Sequence, residues 1–201
     1  MKRIFFSLAL LLAVTALTAQ TNMTAREAAV KIADRILAST TYEFKNTKTG
    51  ETYKSVKKLP LDMNVKVACK YNNWHYTNGV TNMALMELGD KLADKKYEKY
   101  VLKNMNFVFN EGNLEFFRKQ YDEAFKQDGW NAVRKLSWHM IFRGKRLDDN
   151  GPMGASLIEL QMRYPNQSFL DYVNETAEHL NYGEPRLVDG TIARIWPHVN
   201  T

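Results

Sequence analysis

Hydrophobic residues recur along most of this chain with a helical period, and in one stretch with a period of two. Ala28, Ala29, Ile32, Ile36 and Leu37 fall on one helix face behind Thr24 and Glu27, whose spacing is that of a capping box, so a helix is predicted over 25–38. Tyr42, Phe44 and Tyr53 flank Asn46-Thr47-Lys48-Thr49-Gly50, which predicts two short strands around a turn between 41 and 56. From Leu61 to Tyr71 the odd positions Leu61, Met63, Val65, Val67, Cys69 and Tyr71 are apolar, the pattern of extended chain with one buried face. Helical spacing returns at Val80, Met83, Ala84, Met86 (or Leu85) and Leu88, and again at Tyr97, Val101, Met105 and Val108. A short helix pair over 119–139 would place Trp130, Val133 and Leu136 on one face. The expected class is all-α, with short extended segments near 41–71.

The chain also repeats itself. Shifted by 72 residues, Gly79 meets Gly151, Leu85-Met86-Glu87-Leu88 meets Leu157-Ile158-Glu159-Leu160, Asp94 meets Asn166, Tyr97 meets Phe169, Tyr100 meets Tyr172 and Val101 meets Val173. Each copy reads as a helical hairpin: a glycine-bearing turn, a helix, a turn at Asp94 or Asn166, and a returning helix. Ordinary helical arrays repeat at roughly 34 to 47 residues. The extra length here lies from Asn110 to Arg146, so the loops before the first helix of each hairpin are long, and long loops on one rim tend to carry function.

Lys2 and Arg3 precede an apolar run from Ile4 to Ala19, and polar Gln20, Thr21 and Asn22 follow. A run of about 16 residues is short for a membrane span and reads as a secretory signal peptide, residues 1–19, cleaved near Ala19; an uncleaved anchor is the alternative. The expected location is the periplasm or the exterior, without membrane attachment after cleavage. About 180 residues then remain, the size of one domain (20–201) able to bury a core. The single cysteine, Cys69, has no partner for an internal disulfide. Formal charge is +6, or +4 once Lys2 and Arg3 are removed, with bases interleaved among acids as in Asp94-Lys95-Lys96-Tyr97-Glu98-Lys99. That pattern reads as solvated surface and argues against a nucleic-acid partner.

Candidate chemistry collects at equivalent places in the repeat, just before its glycine. Trp74-His75-Tyr76-Thr77-Asn78-Gly79 and Arg146-Leu147-Asp148-Asp149-Asn150-Gly151 overlie each other, with Tyr76 on Asp148. If the hairpins stack, aromatic, imidazole and carboxylate groups converge at neighbouring helix N-termini. Two plainer readings stand beside this one. Asp148-Asp149-Asn150-Gly151-Pro152 suits a helix start, with Asn or Asp as cap and Pro152 at the first helical position. Trp74-His75-Tyr76 suits aromatic packing beside a turn. His139, His179 and His198 lack metal-ligand spacing, and neither a phosphate loop nor a nucleophile elbow nor a paired-cysteine site is present.

In order and spacing, Tyr71-Asn72-Asn73-Trp74-His75-Tyr76-Thr77-Asn78-Gly79, then Arg146-Leu147-Asp148-Asp149-Asn150-Gly151-Pro152-Met153-Gly154-Ala155, then Asp189-Gly190-Thr191 and Pro197-His198 resemble the unsaturated rhamnogalacturonyl hydrolases and unsaturated glucuronyl hydrolases, glycoside hydrolase families 105 and 88. The resemblance implies an (α/α)6 toroid, of which this chain supplies about three hairpins, and a pocket lined by the loops before the inner helices. It implies hydration of the C4–C5 double bond of a 4,5-unsaturated uronic acid at the end of a lyase-generated oligosaccharide, with no metal or organic cofactor. Asp148 takes the place of one family carboxylate, Trp74, His75 and Tyr76 that of the sugar pocket, and Asp149 that of a cap or pocket wall. A second family aspartate lies in a Trp-Leu-Asp motif after the Pro-His segment, which would come beyond Thr201. The expectation is therefore a partial toroid, weak in activity or inactive, whose uncovered apolar helix faces favour self-association. A carboxyl near its reference pKa of about 3.9 must be buried, or set beside a second carboxylate, before it can deliver a proton to carbon. Non-catalytic alternatives are a sugar-binding or helical interaction module, or a fragment without independent function.

Overall fold

The structure, a computed structural model, describes residues 23–109, 112–143 and 147–193, including every side chain there except those of Leu147 and Asp149. The signal segment over 1–19 lies outside the described residues, as does His198. Among the described residues the chain is mostly helical, with six α-helices and one three-stranded sheet. No described helix is long and apolar enough to cross a membrane.

Helix α1 spans Ala25–Ser39. Its start is the predicted capping box: the Thr24 N–H donates to Glu27 Oε2 at 2.9 Å and the Glu27 N–H to Thr24 Oγ1 at 3.2 Å. The chain divides within α1 into two compact units, one ending at Arg35 and one beginning at Ile36.

In the second unit, strands β1 (Phe44–Asn46), β2 (Thr52–Tyr53) and β3 (Val65–Val67) form an antiparallel sheet in the order β2-β1-β3. The first turn closes through Asn46, whose Oδ1 accepts from the Lys48 N–H at 2.9 Å and the Thr49 N–H at 3.2 Å. Of the alternating run over 61–71, only Val65 and Val67 are both strand and buried, and Leu61 is exposed. The remainder turns away because Gln120 and Ser137 occupy the outer edge of β3: Gln120 Nε2 donates to the Asp62 and Val65 carbonyls, and Ser137 Oγ accepts from the Val67 N–H.

Two helical hairpins follow. α2 (Tyr76–Leu92) turns through left-handed Ala93 into α3 (Lys95–Phe109), and α5 (Leu147–Arg163) turns into α6 (Gln167–Glu178). The turns match across the repeat: Asp94 Oδ1 accepts from the Lys96 N–H at 3.0 Å, and Asn166 Oδ1 from the Ser168 N–H at 2.9 Å. Between the hairpins lies α4 (Asn113–Val133), broken at Asp128 and Gly129, followed by a 3₁₀ turn over His139–Phe142. The short pair expected over 119–139 is present as two helical segments that meet at this break, but the first is longer than expected and begins at Asn113. Val133 and Leu136 are buried as expected, but Trp130 is on the surface, because the break at Gly129 turns it away from their face.

α3 buries the predicted face, with Tyr97, Val101, Met105 and Val108 all in the core. α2 does not. Its buried residues are Asn78, Gly79, Asn82, Leu85, Met86 and Gly89, while Val80, 56% exposed, Met83 and Ala84 face out. The reason is close backbone packing against α5. A Cβ on Gly79 would stand 2.4 Å from the Pro152 carbonyl carbon and 2.5 Å from the Met153 nitrogen. Only a residue without a side chain fits there, and small or short polar neighbours let the two backbones approach.

The opposite ends of the same helices are held by charge. Arg163, in the last turn of α5, bonds Asp90 Oδ2 at 2.8 Å on α2, Glu98 Oε2 at 2.6 Å on α3, and Glu159 Oε1 at 2.6 Å on its own helix. Because Gly79 and Met153 meet near the helix starts and Asp90 and Arg163 near the ends, α2 and α5 run side by side in the same direction. Glu98 is buried in this cluster; the Tyr164 hydroxyl donates to it, and with help from Arg163 and Lys95 it pulls the carboxyl down to about 2 from an ordinary 4.5, against the opposing effect of burial.

A continuous file of ring contacts ties sheet to hairpins: Phe44 on Phe107, Phe107 on Trp138, Trp138 on Trp74, Trp74 on Tyr172, and Tyr172 on Phe109. Each such pair adds about 0.5–1.5 kcal/mol beyond its buried area.

Two outcomes follow from these contacts. Gly79→Ala is expected to cost about 1–3 kcal/mol or more in urea unfolding, because backbone must move. Gly154→Ala, whose Cβ would meet only Thr176 Cγ2 at 3.9 Å, should gain up to about 1 kcal/mol from helix propensity. Equal effects from the two alanines would rule out the close approach. A carboxylate kept ionised by folding contributes stability that is full above the ordinary pKa and lost as pH falls toward the folded one. Stability should therefore drop by on the order of 3 kcal/mol between pH 4.5 and about 2. Glu98→Gln should flatten that part of the pH–stability curve, and an unchanged acid limb in the variant would remove Glu98 as its source.

Candidate functional site

The two segments singled out by the repeat lie at the starts of α2 and α5, and the parallel packing of those helices brings them to the same end of the molecule. The direct link is a buried hydrogen bond: Trp74 Nε1–H donates to Asn150 Oδ1 at 3.1 Å. Tyr172 stands over this pair, its ring edge-on to Trp74 at 5.0 Å and its hydroxyl 3.5 Å from the same Asn150 oxygen. Burial pushes the Tyr172 phenol above its usual range, which keeps the hydroxyl a donor.

Trp74 is completely buried. It is therefore not a wall residue open to a ligand, and aromatic packing beside a turn is the role its surroundings give it. The asparagines around it fix the loop: Asn73 Oδ1 accepts from the backbone N–H groups of Trp74 and Trp138, both at 2.9 Å, and Asn78 Nδ2 donates to the Lys70 and Asn73 carbonyls. His75 caps α2, its Nδ1 accepting from the Thr77 N–H at 3.3 Å. Its ring lies against Tyr76 at 4.6 Å. Tyr76 is the first residue of α2 and is exposed.

Asp148 is the second residue of α5 and is exposed, in a turn where the helix dipole favours an acid. The burial that would adapt a carboxyl to proton donation is not formed around it by the described residues. Asp149 belongs to the same turn, and its side chain lies outside the described residues. The expected helix start also moves. Pro152 is not at the first helical position but inside α5, which begins at Leu147, and Asn150 lies within the helix with its side chain turned inward. Pro152 has no N–H to give the Asp148 carbonyl, the partner its helical position would require, so the first turn of α5 lacks that bond. Gly151 permits helical backbone before a proline because it has no Cβ to meet the ring.

His139 Nδ1 lies 2.7 Å from the Leu136 carbonyl oxygen and His179 Nε2 lies 3.1 Å from Glu184 Oε1. No group of three His, Cys, Asp or Glu side chains that would hold a metal ion occurs among the described residues. One cavity of about 340 Å³ is lined by Leu61, Asp62, Met63, Gln120, Glu123 and Gln127, and another of about 230 Å³ by Gly89, Asp90, Ala93, Asp94, Lys95 and Glu98. Neither includes Asp148, Trp74, His75 or Tyr76.

Asn150 and Tyr172 do the joining, and sequence reading passed over both. The signal was present: Asn78 and Asn150 precede the paired glycines at the same spacing of 72, and each is buried with its amide bonded to the loop segment over 70–74. No protein-family model and no curated protein matches the chain.

Replacing Asn150 by Ala leaves the buried Trp74 N–H without its acceptor. The expected loss is about 1–3 kcal/mol in urea unfolding. A loss below about 0.5 kcal/mol would mean that the indole reaches another acceptor.

Proposed function

We propose that the chain is a hairpin scaffold of the unsaturated rhamnogalacturonyl and glucuronyl hydrolase type, built as part of an (α/α) toroid. The observation that carries this reading is the Trp74–Asn150 hydrogen bond between two parallel helix starts, which joins the aromatic segment to the carboxylate segment at one end of the fold. In this reading α2 and α5 are successive inner helices, α3 and α6 their outer partners, and the loops before α2 and α5 form the mouth.

The substrate is a 4,5-unsaturated uronic acid at the non-reducing end of an oligosaccharide. Asp148 acts on the double bond, protonating C4 while water adds at C5 and returns its surplus proton to the carboxylate so formed; Tyr76 and His75 contact the sugar, Trp74 fixes their loop from behind, and Asp149 is the second acid of the helix start. Enclosure of Asp148 is what would give the reaction speed, so an exposed Asp148 implies slow turnover. The chain acts after export, without a membrane or nucleic-acid partner. Val80 and Met83 on α2, with Ile158 and Met162 on α5, offer apolar rows through which copies self-associate.

A second reading, a sugar-binding or helical interaction module without catalysis, is favoured by the exposure of Asp148. The two separate in one assay. With an unsaturated digalacturonate, ultraviolet absorbance of the double bond should fall slowly in the presence of the chain and not at all with Asp148→Asn. No fall above the buffer rate, or equal rates for chain and variant, removes the hydrolase and leaves the module.

A further inference from the structure

The repeat relates two surfaces that are open in the structure, one on α2 and one on α5. On α2, Gly79 meets the Pro152 and Met153 backbone and Asp90 bonds Arg163; buried Met86 falls between them at helical spacing, so these three positions form the stripe that faces α5. Shifted by 72 residues they become Gly151, Ile158 and Met162 on α5. That stripe is uncovered. A Cβ on Gly151 would meet no described atom within 4 Å, Ile158 is 48% exposed against 1% for Met86, and Met162 is 76% exposed.

The converse holds on α2. The stripe by which α5 faces α2 runs from Pro152 through buried Ser156 and Leu160 to Arg163. Its equivalents on α2 are Val80, Ala84, Leu88 and Lys91, of which Leu88 is half-buried and the other three are exposed. By contrast, Leu85 and its equivalent Leu157 are both buried, so the difference follows the stripes and not the helices as a whole. Each helix thus uses one stripe and leaves open the repeat image of its partner's. The open stripes also keep the sizes of the used ones: Gly151 as Gly79, Ile158 for Met86, Ala84 for Ser156 and Leu88 as Leu160. Small residues at these places are what a close approach of two helix backbones requires.

We infer that these stripes are covered by a second copy of this chain, which lays its α2 on α5 of the first as α2 lies on α5 within one chain. The chain itself carries the exposed complementary surface, which an unrelated partner would have to reproduce. The joint is head-to-tail. It uses different surfaces on the two copies, so a dimer still has one open stripe at each end and growth continues, to a closed ring or an open filament. The charge clamp is not repeated at the joint: Asp90 and Glu98 correspond to Met162 and Leu170, both exposed, so apolar side chains take the place of the ion pairs there. This arrangement gives the self-association proposed above a geometry, and it rests on that clause and not on hydrolase activity.

The test uses the exported full chain in sedimentation velocity. The parent should form species larger than a dimer as its concentration rises. Ile158→Arg blocks the α5 stripe and Ala84→Arg the α2 stripe; both sites are exposed, and circular dichroism with thermal melting confirms that the variants are folded. Each variant alone should be a monomer, because every copy then lacks the same stripe. Mixed in equal amounts, they should form a one-to-one dimer and nothing larger, since one supplies an intact α2 stripe and the other an intact α5 stripe. A two-fold interface allows no such rescue. The inference is overturned if the parent stays monomeric up to roughly 1 mM, if either folded variant assembles as the parent does, or if the mixture remains monomeric. Neither substitution touches Asp148, so the ultraviolet assay judges the hydrolase separately.

Discussion

The contact on which the arrangement of this chain depends is between two backbones: Gly79 of α2 against Pro152 and Met153 of α5. With any side chain at Gly79 the helices could not come this close. The approach fixes their separation near one end and so brings Trp74 within reach of Asn150. At the far end the separation is set by Arg163, long enough to bridge to Asp90 and Glu98 from the last turn of α5. One end is held by shape and the other by charge, and the two differ in kind. Shape at Gly79 is indifferent to pH, whereas the Arg163 cluster needs Glu98 ionised. Acid should loosen the end away from the candidate site first.

The contrast between α3 and α2 shows what a hydrophobic pattern can reveal. α3 buries large residues at helical spacing, and Tyr97, Val101, Met105 and Val108 identified it and its inward face directly. α2 was found as a helix, but of its expected positions only Met86 (or Leu85) lies in the core, while Val80, Met83 and Ala84 face out. Its interface is made of Asn78, Gly79, Asn82 and Gly89 alongside Leu85 and Met86, and small or amide side chains carry no hydrophobic signal. The capping box of α1, the turn at Asn46 and the matched turns at Asp94 and Asn166 were legible because each is decided within a few residues. Pro152 misled for the opposite reason: proline favours a first helical position, yet here packing on Gly79 and a preceding glycine carry helical backbone through it. The break at Gly129, which sends Trp130 to the surface, is a backbone choice that no pattern of apolar residues records.

At the candidate site the repeat was a better guide than residue chemistry. Its register correctly paired the Trp74 and Asp148 segments, because equivalent helix starts must lie together when parallel helices stack. It could not tell which side chains face in. Trp74, the most conspicuous residue there, proves to be scaffold, and the link to the second segment is made by Asn150, a residue that reads as an ordinary helix cap. The buried Trp74 indole N–H would cost free energy if left, like that of Trp138, without an acceptor. An asparagine one turn into a neighbouring helix satisfies it without introducing a charge.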